Sequence, residues 1–106
     1  MTGVGILCLM LCGHQDDKML PKAGDFLLEN NLNRTWGGSH FFYGIYYCSQ
    51  ASFQLGGKYW DTWAAGMYDN ALQHQQQSGS WGDPYKTTMT VLALTVSYRQ
   101  LPVYQR

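Results

Sequence analysis

Leu72-Gln73-His74-Gln75-Gln76-Gln77-Ser78-Gly79-Ser80-Trp81 is the stretch on which the architecture turns. It reads as the last turn of an amphipathic helix, a glutamine-rich end, a glycine reversal and a large aromatic ring. Earlier in the chain, Leu27, Asn31, Arg34 and Trp36 can be laid over Leu72, Gln76, Gly79 and Trp81 at one common offset of about 45 residues, within the range of two-helix repeats. Leu11-Cys12-Gly13 lies over Leu55-Gly56-Gly57 at nearly the same offset. Each unit cannot bury its own apolar face, so such repeats are stable by stacking on their neighbours.

Five helical segments surround these anchors. Thr2 to Gly13 is apolar nearly all round, as expected of a buried helix, with Gly13 as its stop and His14-Gln15-Asp16-Asp17 as a polar turn. Lys18 to Asn31 is amphipathic, with Leu20, Ala23, Leu27 and Asn31 on one stripe and Pro21 in the first turn. Ser39 is a natural N-cap for His40 to Leu55, which stops at Gly56-Gly57. The fourth helix, from about Tyr59 to Gln76, offers Trp60, Trp63, Ala64, Met67, Ala71 and Leu72 as its buried side. Ser78 to Pro84 is a turn, with Asp83 placed to cap the fifth helix ahead of Pro84. That helix, Tyr85 to Tyr98, carries Met89, Val91, Leu92, Leu94 and Val96, and its β-branched content makes a strand the main competitor. Leu101-Pro102 begins an extended tail. Odd helices are apolar throughout and even ones amphipathic, the pattern of an inner and an outer helix layer. A single superhelical layer would give the same period.

The expectation is therefore an all-α chain of tandem αα-hairpins, a partial α/α toroid with inner and outer layers. Residues 1–106 form a single region of about two and a half hairpins, with a tail over 99–106. Hydrophobic residues make up 45% and charged residues 13%, about half the usual charged share, which leaves little polar surface for a lone globule. Zero formal net charge and the lack of a basic run argue against a nucleic-acid groove. Cys8, Cys12 and Cys48 are an odd count without framework spacing and read as reduced, buried thiols. The run Val4 to Cys12 lacks the basic flank and cleavage site of a secretory signal and is too short to span a bilayer. A cytoplasmic or peripheral-membrane location is thus expected over secretion. An apolar helix already under way at residue 2 suggests a truncated start.

At Gln76, Gly79 and Trp81 the chain resembles the terpene-cyclase and prenyltransferase repeats of the squalene–hopene cyclase type, whose Gln-Trp motif ends in Gln, a short spacer and Gly-x-Trp. Asn31, Arg34 and Trp36 look like a degraded copy, with Asn for Gln and Arg for Gly. Tyr43-Gly44-Ile45-Tyr46-Tyr47 through Gln54-Leu55-Gly56-Gly57, and the ending Tyr98 to Arg106, resemble the C-terminal end of bacterial proteins built from these repeats. The resemblance implies an α/α toroid in which Gln76, Gly79, Trp81 and Trp36 are structural staples rather than catalysts. It also implies an isoprenoid or other apolar substrate in a central cavity. The missing walls would come from further repeats of a longer parent chain or from a self-associated copy.

Class II members of that family begin cyclisation from an Asp-x-Asp-Asp motif. His14-Gln15-Asp16-Asp17 lacks the first Asp, and a surface turn is the preferred reading of it. Catalysis by this chain alone is not expected, and no catalytic residue is assigned. Tyr43, Tyr47 and Gln50 or Gln54 share one side of the third helix, and Phe42, Tyr46 and Phe53 another. Either stripe could line a cavity, where a desolvated ring attracts a cation by up to ~2 kcal/mol. Plain core packing is the commoner cause of such stripes. His14, His40 and His74 share no face with a cysteine or acid at ligand spacing, so neither zinc nor another cofactor is expected. A non-enzymatic repeat module presenting a surface to a partner is the competing reading.

Overall fold

The computed structural model describes residues 2–14, 16–29 and 40–98. These form five helices: α1 (Thr2–Leu11), α2 (Met19–Glu29), α3 (Phe41–Leu55), α4 (Gly57–His74) and α5 (Pro84–Leu94). No strand occurs among the described residues, so the β-branched segment after Pro84 is helical. Trp36, its companions Asn31 and Arg34, Ser39 and the tail over 99–106 lie outside the described residues.

The helix ends follow their local chemistry. After α1, His14 N–H donates to the Leu9 carbonyl at 2.8 Å and Gly13 N–H to Met10 at 3.2 Å, with Gly13 at φ 85°. This is the paired closure that satisfies final-turn carbonyls through a left-handed residue. Asp17 opens α2 by accepting the Met19 N–H on its carboxylate at 2.8 Å, so the polar turn has a structural task. Asp83 does the same for α5, accepting from Lys86 N–H at 2.8 Å with Pro84 in the first turn. The N-cap position of α3 is held by His40 in the left-handed region at φ 58°, without a side-chain capping bond. Gly56, at φ 73°, both ends α3 and precedes α4, which therefore starts two residues before Tyr59.

Packing centres on α3, which lies against α1, α4 and α5, while α2 touches α1, α3 and α4. Gly3 sets the α1–α3 approach: a Cβ there would meet the backbone of Tyr47 and Cys48 at 3.0 Å. Met10 shares a cleft wall with Gln54 and Leu55, so α1 and α3 run in the same direction. Gly24 of α2 is covered by the Tyr59 ring, whose hydroxyl lies 3.3 Å from both the Pro21 carbonyl and Asp25. Ile6, Leu20, Ile45, Ala51, Trp63, Met67 and Ala93 are the apolar centre. Trp63 is fully enclosed and gives its indole N–H to Ser49 at 2.8 Å, which removes the cost of burying that polar pair.

Two burial expectations are corrected. Leu72 is 68% exposed, because the buried face of α4 runs through Trp63, Ala64, Met67 and Ala71 and places Leu72 outside it. Cys8 and Cys12 are exposed together with Gly5 and Leu11, since α1 packs on α2 and α3 and its opposite face is uncovered among the described residues. Val91 is also exposed, and the enclosed residues of α5 are the smaller Thr90 and Ala93. No helix among the described residues is long and apolar enough to cross a membrane.

Candidate functional site

The glutamine–tryptophan turn is a joint between α4 and α5. Trp81 is 9% exposed, and its indole N–H donates to the Ala71 carbonyl at 2.8 Å. Ala71 is among the last four residues of α4, whose carbonyls have no following helical turn to fill them. The Trp81 backbone N–H donates to the Thr87 hydroxyl at 3.1 Å, tying the same residue into α5. Gly79, at φ 90°, makes the reversal possible without the Cβ penalty of the left-handed region. Gln76 closes the turn mainly through its backbone, taking its N–H to the Ser80 carbonyl at 2.8 Å. Its side-chain oxygen accepts only a long 3.4 Å bond from the Ser80 hydroxyl. The amide that reaches across the turn belongs to Gln75, donating to the Gly79 carbonyl at 2.9 Å. Sequence reasoning fixed on Gln76 and missed Gln75, since three consecutive glutamines, all exposed here, offer no internal signal as to which one spans the turn.

The aromatic residues of α3 divide into three environments. Phe42 is buried and meets Phe41 edge to face at 5.2 Å. Phe53 packs at 5.3 Å on Trp60 of α4, away from the tyrosines. Tyr43, Tyr46 and Tyr47 form a partly exposed group, with Tyr47 4.7 Å from Tyr43 and 4.9 Å from Tyr46 between ring centroids. Partial burial, with the neighbouring Tyr43 and Tyr46, raises the Tyr47 hydroxyl pKa. The rings are inclined to one another, by 50° and 67°, and pack edge against face as a small cluster on the helix surface. Gln50 and Ser52 are enclosed beside them, and the Gln50 Oε1 and Ser52 Oγ have no hydrogen-bond partner among the described residues.

An open cleft of about 570 Å³ lies where the α1–α2 turn meets the α3–α4 junction. That volume falls within the range of small-molecule sites, roughly 300–1,000 Å³. Met10, Leu20, Pro21, Leu55 and Tyr59 supply its apolar walls, Gln54 a buried amide, and Asp16, Asp17 and Lys18 its charged edge. The Asp-Asp turn of the sequence thus borders this cleft, whose lining includes none of the α3 tyrosines. Asp25 and Lys58 pair nearby at 3.4 Å, and Lys58 sits 5.0 Å from the Tyr59 ring centre.

Cys48 stands apart from both places. It is buried on the α1 side of α3, and burial pushes its thiol up to about 11, so it carries no nucleophilic thiolate at neutral pH. Among the described residues, no three His, Cys, Asp or Glu side chains gather where they could hold a metal ion. Searches for similarity find no matching family model, no matching curated protein and no matching solved structure.

Proposed function

We propose that the chain is a wall segment of an α/α toroid of the terpene-cyclase and prenyltransferase-repeat type. It contributes an apolar surface to a cavity that handles an isoprenoid or similar hydrocarbon. It depends on further hairpins, in a longer parent chain or a second copy, for any chemistry. The observation that carries this reading is the Trp81 joint: the motif's ring bonds the end of one helix while its backbone is tied to the next. The adjacency of α1, α3 and α5 supports an inner helix layer, and the α2–α4 contact an outer one.

A second reading, a non-enzymatic scaffold, is favoured by the uncovered α1 face carrying Gly5, Cys8, Leu11 and Cys12. A small-residue apolar face suits a neighbouring helix better than a reactive intermediate. The two readings separate in one experiment on the purified chain. Squalene and a polyprenyl diphosphate are each added, with tryptophan fluorescence reporting binding and gas chromatography reporting product. Saturable binding without product supports the wall segment. No binding to an intact fold sinks the isoprenoid part and leaves the scaffold. Product formation would contradict the dependence on further hairpins.

A further inference from the structure

The cleft between the α1–α2 turn and the α3–α4 junction has features that the wall-segment reading leaves unused. Its apolar lining is Met10, Leu20, Pro21, Leu55 and the Tyr59 ring, with the Gln54 amide among them. Its edge carries two carboxylates against one ammonium, Asp16 and Asp17 against Lys18. Lys58, on the α4 side, is paired with Asp25 at 3.4 Å, so the two together add no net charge. Asp17 gives one oxygen to the Met19 N–H, and Asp16 is exposed. An apolar pocket with a net negative edge selects by charge: an anionic head group is repelled there, and a cationic one attracted.

We propose that this cleft is a binding site for a small amphiphilic cation, an alkylammonium whose chain lies on Met10, Leu20 and Leu55 and whose head group meets Asp16 and Asp17. The site is formed by residues from α1, α2, α3 and α4 and the α1–α2 turn.

The test uses three probes of one chain length, octyltrimethylammonium, octanoate and octanol, titrated below their micelle concentrations by calorimetry. The cation is expected to bind at one site, more tightly than octanol, with octanoate weakest. Replacing both carboxylates, Asp16→Asn with Asp17→Asn, removes the charge while Asn still caps α2, so the fold is preserved. That variant is expected to weaken the cation about fivefold at low salt and leave octanol unchanged. A melting curve matching the parent's checks that the fold is intact. Equal binding of all three probes, an unaltered cation affinity in the double variant, or no cation binding would each overturn the proposal.

Discussion

Trp81 is where a single side chain has the most to lose. Trp81→Phe keeps most of the apolar surface but strands the Ala71 carbonyl, and should cost about 1–2 kcal/mol in denaturant unfolding. Trp81→Ala, which also opens a cavity, should cost about 3–5 kcal/mol. An unchanged midpoint for both would mean the joint is not structural. The three cysteines allow a second residue-level test. In the native state Cys8 and Cys12 should react promptly with a thiol reagent, and Cys48 only on unfolding. Fast labelling of all three would contradict the α1–α3 packing. Because the folded pKa of Cys48, about 11, lies above its ordinary 9.0, folding favours the protonated thiol. Its stabilising effect is therefore complete below pH 9 and fades as pH rises toward 11, by on the order of 2–3 kcal/mol. Tyr47, also raised, acts in the same sense at higher pH. Cys48→Ala should flatten the stability profile across pH 9–11; an unaltered alkaline limb would place the cause elsewhere.

Two glycines of α1, two residues apart, give opposite expectations at the scale of the element. Gly3→Ala drives a methyl group into the α3 backbone and should destabilise by about 1–3 kcal/mol. At Gly5 nothing lies within 4 Å, so Gly5→Ala should stabilise by up to about 1 kcal/mol through helix propensity. Equal effects from thermal melts would show that α1 does not sit with Gly3 inward. Asp83→Ala should lower stability by about 1 kcal/mol through loss of the α5 cap, seen as a lower melting temperature. These ends were readable in advance because a cap is local: Asp83-Pro84, Gly13 and Gly56 announce themselves within a few residues. Burial was not readable in the same way. Leu72 is apolar and near the stripe of α4, yet whether it is covered depends on where α5 and the turn come to lie. Cys8 and Cys12 look like core because α1 is apolar all round, but composition cannot say how many neighbours a helix has.

At the scale of the molecule, the five helices were legible from periodicity and the joint from one spaced motif. The cleft was not. Its lining comes from positions 10 to 59, brought together by packing rather than by any spacing along the chain. Asp16 and Asp17 could be seen in the sequence only as a turn, because Leu55 and Tyr59, which give the carboxylates an apolar partner surface, belong to another hairpin. The exposed α1 face and the half-exposed tyrosines of α3 leave apolar surface facing solvent.

Gly56 joins α3 to α4 as the sole residue between their bounds, serving the end of one and the start of the other. With only Gly56 and the adjoining Gly57, at φ 73° and 50°, turning the chain between two rods, there is no slack to absorb added length. One extra amino acid at this corner would rotate α4 about its own axis as well as displace it. The Trp63–Ser49 bond and the Phe53–Trp60 edge contact would then be lost together. The hairpin is thus a welded elbow.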